Sequence, residues 1–264
     1  RHDPAHSTTL TIQLLQPLEG SHIMDLSNRT VVIAGGARNI GRGIVLEFAK
    51  AHANIVLNSR AETPEFIETL NDARAHGADV TPVPGDITEE AVRQEIFAAA
   101  NDVYGGADVL VHAPSYRIER TFDEMTAEEW HKVMDLNLHS YFYLIHGLVG
   151  GMAERSWGRI IGFSGAMAFR AKRNGAHTIA SKGAVVGLTR AIAFEYAARG
   201  VTANTIVPGV VATEKNVALG LPKAPVGRFG VPEDFAAMCL YLCSEPGGFI
   251  TGQSLHINGG VDYY

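Results

Sequence analysis

With 264 residues, 46% of them hydrophobic and 19% charged, the chain is long enough for one large α/β domain and apolar enough to bury a sizeable core. A formal net charge of −6 without a basic stripe argues against nucleic acid as a partner, and there is no run of about 18 apolar residues to span a membrane. The two cysteines, Cys239 and Cys243, lie four apart, which by itself suits neither a disulfide nor a zinc site; they read as buried reduced thiols and point to a cytoplasmic setting.

Residues 1–23 differ in character from the rest. Gly20-Ser21-His22-Ile23-Met24 resembles a cloning junction ahead of a start methionine, and the segment lacks the basic, apolar and small-residue succession of a signal peptide. The expectation is an appended leader followed by one domain over 24–264. From residue 25 onward, short β-branched runs alternate with longer amphipathic stretches. Strands are predicted at Thr30–Ala34, 54–58, 79–84, Val109–His112, 159–163, 202–207 and Ser254–Ile257. Helices are predicted at 40–51, 65–76, 89–104, 127–153, 178–198 and 233–244. Such alternation implies parallel pairing with right-handed crossovers, hence a single-domain, Rossmann-type doubly wound α/β fold. Residues 213–231, with two prolines and three glycines and no clear period, interrupt the last unit and are expected to form a mobile substrate loop.

The first strand runs into Gly35-Gly36-Ala37-Arg38-Asn39-Ile40-Gly41 and then a helix. Gly35 allows a tight turn and Gly41 close packing at the helix start, where free N–H groups and the helix dipole suit a pyrophosphate. Asn39 stands where a middle glycine is usual, and asparagine is the residue that best tolerates the left-handed region after glycine. Binders of the unphosphorylated dinucleotide carry an acid at the end of the second strand to hold the ribose 2′-hydroxyl. Here that strand ends Asn58-Ser59-Arg60. Ser59, Arg60 and Arg38 would instead receive a 2′-phosphate, so NADP(H) is the expected cofactor. Solvated surface arginines are the alternative for both.

These motifs, in this strand–turn–helix setting, resemble the short-chain dehydrogenase/reductase family, whose turn reads Gly-x3-Gly-(Ile or Leu)-Gly. The resemblance covers nearly all of 25–262. It implies that Asp86 and Ile87 contact the adenine, although taken alone Asp86 fits a helix-start acid equally well. It also implies that His112 and Ala113 lie beside the nicotinamide ribose, where His112-Ala113-Pro114-Ser115 departs from the family's Asn-Asn-Ala-Gly. In Pro208-Gly209-Val210-Val211-Ala212-Thr213, Val211 would meet the carboxamide and Thr213 the pyrophosphate.

The family's active site combines Ser, Tyr, Lys and Asn, with Lys lowering the Tyr pKa and gripping the ribose while Tyr exchanges a proton with the substrate oxygen. Lys182 matches the lysine and Asn137 the asparagine that holds a relay water. Thr178 occupies the tyrosine position and Gly165 the serine position, with Ser164 a substitute after a one-residue shift. This is an atypical member lacking the usual Ser and Tyr. His177 has the right intrinsic pKa for proton transfer. It lies about 140° around a helix from Lys182, an objection that weakens if the helix begins only at Thr178. Capping or packing is its other role. Tyr116 is a second proton-donor candidate, or else a pocket wall. A histidine just ahead of the lost tyrosine also occurs in relatives resembling 2,4-dienoyl-CoA reductases. No metal site is expected, because the histidines show no H-E-x-x-H or paired ligand spacing.

The reading is an NADPH-dependent reductase of a ketone or activated alkene with non-standard proton delivery. Its partners would be a small-molecule substrate and, by resemblance through the closing segments Arg228–Asp234 and 250–260, further copies of itself in a dimer or tetramer. Two alternatives stand beside it: a cofactor-binding protein without redox turnover, and a dehydratase or isomerase with a resident cofactor.

Overall fold

The computed structural model describes residues 24–262 apart from 214, 215 and 217. The expected leader, residues 1–23, lies outside the described residues. The elements run β1 (Thr30–Ala34), α1 (Asn39–Lys50), β2 (Asn54–Ser59), α2 (Pro64–Ala75), β3 (Val80–Pro84), α3 (Glu90–Ala98) and β4 (Val109–His112). They continue α4 (Ala127–Met134), α5 (Ser140–Glu154), β5 (Gly158–Phe163), α6 (Ala176–Tyr196), β6 (Val201–Pro208), α7 (Pro232–Cys243) and β7 (Ser254–Ile257).

All seven strands are parallel, in the order β3-β2-β1-β4-β5-β6-β7. Order reverses between β1 and β4, where Ala34 is level with both Asn58 and His112. In such sheets the crevice beyond the strands' carboxyl ends, at this reversal, is where ligands sit. The strands are apolar on both faces because helices cover both. Val31 and Ile33 of β1 enter one core with Ile44, Val45 and Phe48 of α1 and Phe235 and Cys239 of α7. Val32 and Ala34 enter the other, with Ile96 of α3, Tyr141, Leu144 and Ile145 of α5, and Val185 of α6. Cys239 and Cys243 are free and buried, and burial raises both thiols, Cys243 to about 12.

Local signals explain the helix starts. Thr63 caps α2 by accepting from Phe66 N at 3.4 Å, with Pro64 in the first turn. Thr126 and Glu129 form a reciprocal capping box at α4. Two differences from the sequence expectation bear on the site. The helix predicted over 127–153 is interrupted by a π-helical turn at Asp135–His139, so α4 and α5 are separate regular segments joined by one wide turn. The helix predicted from 178 begins at Ala176, with Ile179 N bonded to Gly175 O at 2.8 Å, which draws His177 out of the loop and into the first turn.

Candidate active site

At the dinucleotide end, the turn after β1 is tied to the neighbouring strand: Gly35 N and Gly36 N donate to Asn58 O at 3.0 and 3.1 Å. Asn58 in turn donates its amide to Val83 O and Gly85 O, which fixes the end of β2 against β3. Gly35 has φ +79° and Asn39 φ +49°, so asparagine does hold a left-handed position here. A β-carbon on Gly41 would collide with the carbonyl of Gly35. The first turn of α1 carries no side-chain cap, and its preceding residue Arg38 is extended and exposed. A glycine-tight turn leading to an uncapped helix start is the cradle that a pyrophosphate fits. Ile40 is half-buried behind it.

Arg38 lies close enough to Glu65, in the first turn of α2, for its charge to help lower that carboxyl, after Glu65's hydrogen bonds to Thr63 and to its own backbone. Neither Arg38 nor Arg60 has an ion-pair partner among the described residues. Asp86 forms a tight local turn, accepting from Thr88 N and Oγ1 at 2.9 and 2.8 Å, while Ile87 is buried.

At the other end of the crevice, Lys182 is buried and donates from Nζ to Phe163 O at 2.7 Å. Burial, and after it the positive charge of Arg117, hold its pKa down to about 7. Asn137 is fully buried in the π-helical turn and clamps the loop after β4. Its Oδ1 accepts from Tyr116 N at 2.7 Å, and its Nδ2 donates to Tyr116 O and Ser181 Oγ, both at 3.0 Å. Ser181 passes its own proton to Thr178 O at 3.1 Å. Asn137 and Lys182 are thereby joined through one turn of α6.

His112 Nε2 lies 2.7 Å from Ser140 Oγ, whose hydroxyl proton goes to Leu136 O, so the imidazole donates from Nε2. Burial first, then the charge of Lys182, lowers its pKa to about 3, and it is neutral at physiological pH. Ala113 N pairs with Ala34 O at 3.1 Å and carries the chain over the crevice. Val211 O accepts from Thr213 N and Asn216 Nδ2, both at 2.8 Å, and Thr213 Oγ1 accepts from Asn216 N at 3.2 Å, which folds the start of the last loop back on itself.

The other proton-transfer candidates do not assemble around Lys182. His177 is 0% exposed; its Nδ1 accepts from Thr178 N at 2.8 Å, its Nε2 has no hydrogen-bond partner among the described residues, and it lies toward Glu129 of α4. The loop position that would have favoured it is corrected: it belongs to the helix, on the side packed against α4. Thr178 is 2% exposed, with its hydroxyl 3.5 Å from His177 Nδ1. Ser164 Oγ donates to Lys182 O at 2.9 Å, so its proton is committed to backbone. The ring of Tyr116 lies 5.2 Å from Lys132 Nζ of α4, which marks it as a wall of the loop. Around Gly165 there is open space where a side chain would fit. Arg117, which sequence reasoning passed over, is the group whose charge reaches Lys182. A loop arginine leaves no periodic signal, although its place directly after Tyr116 could have flagged it.

Comparison with known proteins places this architecture. The family model described as Enoyl-(Acyl carrier protein) reductase matches residues 35–262. The chain belongs to the short-chain dehydrogenase/reductase family. It is 30% identical over 243 residues to acetoacetyl-CoA reductase of Cupriavidus necator, covering 89% of this chain and 99% of the relative. To D-beta-hydroxybutyrate dehydrogenase of Rhizobium meliloti it is 32% identical over 253 residues, covering 88% and 98%. A crystal structure of a candidate gluconate dehydrogenase from Agrobacterium tumefaciens superposes with a TM-score of 0.83 at 28% identity, covering 90% of this chain and 97% of the other. Short-chain dehydrogenases/reductases are oxidoreductases that use a nicotinamide dinucleotide, and this chain is one of them. Among the described residues no helix is long and apolar enough to cross a membrane.

Proposed function

We propose that this short-chain dehydrogenase/reductase is an NADP(H)-dependent, cytoplasmic, homo-oligomeric reductase of a ketone or activated alkene, in which Lys182 supplies the proton that a tyrosine gives elsewhere. The observation that carries the cofactor choice is the pair Arg38 and Arg60, neither of them in an ion pair among the described residues, at the two turns that flank the end of β2. A carboxylate there would repel a 2′-phosphate, whereas Ser59 and two guanidiniums attract it. In this reading Gly35, Asn39, Ile40 and Gly41 shape the pyrophosphate turn. Asp86 and Ile87 border the adenine, His112, Ala113 and Lys182 border the nicotinamide ribose, and Val211 and Thr213 close over the carboxamide and pyrophosphate. When bound, the dinucleotide supplies a hydride to the substrate carbon.

The chain's own part is to place the substrate and neutralise the oxygen that gains the electron pair. Lys182, its pKa lowered to about 7 by burial and by Arg117, is shared between ammonium and amine at neutral pH, so it both gives up a proton and regains one from solvent. Ser164 ties the end of β5 to α6 beside it, and Asn137 fixes the overlying loop. Several relatives are named for ketone and hydroxy-acid chemistry, acetoacetyl-CoA reductase and D-beta-hydroxybutyrate dehydrogenase among them, which supports a carbonyl substrate.

Calorimetric titration with NADPH and NADH tests the cofactor. NADPH is expected to bind at least about tenfold tighter, with the preference gone in the Arg38→Ala/Arg60→Ala double variant; tighter NADH binding contradicts the reading. Turnover is followed by NADPH absorbance with a panel of ketones and enones. Lys182→Ala is expected to be inactive and His177→Ala to retain catalysis in whatever fraction folds. Binding of NADPH with no oxidation by any compound would instead identify a cofactor-binding protein without redox turnover.

A further inference from the structure

A cavity of about 270 Å³ opens between the start of α3 and the π-helical turn that joins α4 to α5. Thr88, Arg93, Asp135, His139, Ser140 and Tyr143 line it. Arg93 is its buried cation. It is 8% exposed, and an arginine this buried is normally paired with an acid. Arg93 has no carboxylate partner among the described residues. Instead its Nη1 donates to Ile87 O at 3.0 Å and to Thr88 O at 2.6 Å, and the guanidinium carbon lies 4.4 Å from the centre of the Tyr143 ring. Two carbonyls and an aromatic face fix the guanidinium in one orientation and leave its charge in place. Its Nη2 and Nε have no hydrogen-bond partner among the described residues.

The rest of the lining is committed, with one exception. Thr88 Oγ1 donates to Asp86 Oδ1 at 2.8 Å, and Ser140 Oγ donates to Leu136 O at 2.7 Å. Asp135 Oδ1 accepts from His139 Nδ1 at 2.8 Å, so the one carboxylate of the lining is already engaged. That bond leaves His139 Nε2 as the imidazole nitrogen without a partner among the described residues. A fixed guanidinium and an imidazole nitrogen thus border one cavity with donor capacity to spare, and the acid that would repel an anion is held by the imidazole.

We infer that this cavity binds a phosphate group, free or as a small monoester, through the Arg93 guanidinium and His139 Nε2. Charge selects an anion, because the guanidinium is the one charge of the lining without an opposite partner. A planar guanidinium receives two phosphate oxygens through parallel hydrogen bonds. With a second pKa of about 6, a phosphate ester near neutral pH presents bare oxygens and, in part, a hydroxyl. It therefore suits an imidazole nitrogen that donates and one that accepts, whereas a carboxylate suits only the first. A water takes up about 30 Å³ in the liquid, so a cavity of about 270 Å³ has room for the phosphate and a short ester chain. None of the six lining residues holds the dinucleotide in the reductase reading above, so the site does not depend on that reading.

Inorganic phosphate, glycerol 3-phosphate and acetate are titrated calorimetrically into the intact protein, with NADPH present to fill the phosphate positions of the crevice and again without it. Phosphate is expected to bind with a Kd of about 1 mM or tighter, and acetate at least about tenfold more weakly. Glycerol 3-phosphate separates the two sources: tighter binding than phosphate identifies a monoester as the ligand, weaker binding free phosphate. Arg93→Gln should abolish the heat, and Arg93→Lys should keep part of it. His139→Ala, at a half-exposed side chain, should weaken phosphate by about fivefold and keeps the experiment readable if an Arg93 variant fails to fold. No heat with phosphate at millimolar concentration, acetate bound as tightly as phosphate, or an unchanged phosphate affinity in His139→Ala overturns the inference. Failure of NADPH to bind would bear on the reductase reading alone, since the titrations without dinucleotide still compare parent and His139→Ala.

Discussion

Between neutral pH and about 9, the buried Lys182 is the group that most strongly shapes how stability follows pH. Lys182 has its pKa lowered from 10.5 to about 7, chiefly by burial and secondarily by Arg117. A lysine whose folded value lies below its unfolded value binds fewer protons when folded, so stability rises with pH between the two. The free protein should therefore gain stability as pH rises from about 7 toward 9, above which the two buried thiols, raised in the fold from 9.0, oppose the lysine. Lys182→Met removes an uncompensated buried charge while keeping the aliphatic stem. It should flatten that rise, stabilise the fold by about 2 kcal/mol at pH 7 and abolish reduction. Urea midpoints of both proteins from pH 6 to 10 check this; parallel profiles would show that Lys182 is not the group responsible. The residue's identity was legible from Ala180-Ser181-Lys182-Gly183. Its lowered pKa was not, because that depends first on how deeply the fold buries it and then on Arg117, from a loop 65 residues earlier in the chain.

Among the elements, what periodicity records came through and what hydrogen-bond register decides did not. Thr30–Ala34, Val109–His112 and Ser254–Ile257 appear where alternation or continuous apolar character placed them. The apolar pattern of 127–153 read as one helix, because a π-helical turn adds only one residue to the repeat and leaves the stripe nearly in phase. That turn rotates Asn137 inward, where it makes three hydrogen bonds. Asn137→Ala would strand a Tyr116 N–H and free the loop that bears Arg117. Its expected cost is about 2–3 kcal/mol, with faster hydrogen exchange at Tyr116 and Arg120; an unchanged exchange pattern would show that the clamp is dispensable. The place of His177, in loop or in helix, was open for a related reason. A single residue's shift in where α6 starts decides between loop and helix, and helix boundaries are the least legible feature of a sequence. At the opposite end of the crevice, Gly41→Ala drives a β-carbon into the carbonyl of Gly35. It should eliminate NADPH binding by calorimetry while the far-ultraviolet circular dichroism stays that of the parent.

For the molecule as a whole, the doubly wound sheet follows from strand–helix alternation and right-handed crossovers, and every strand pairing agrees with it. Oligomeric state is a different kind of property, set by what the two helical layers leave uncovered. On the layer formed by α3, α5 and α6, Phe194 is 92% exposed, with Phe142 and Tyr143 of α5 about half exposed. On the opposite layer Phe249, in the short turn after α7, is 98% exposed, near Tyr241 on α7. Large apolar side chains this open to water are costly in clusters and mark association sites. Two such patches on opposite layers cannot both be satisfied by one two-fold axis. Covering each by its own isologous contact, about two perpendicular two-fold axes, would build a tetramer, the form the proposed homo-oligomer would take. Sedimentation velocity is therefore expected to show a tetramer for the parent protein, dimers for Phe194→Glu and for Phe249→Glu separately, and a monomer when both are combined. Both substitutions lie on solvent-facing side chains, so the fold should survive them. A single variant that proceeds directly to monomer would mean that one patch carries all of the association and that the second serves another purpose.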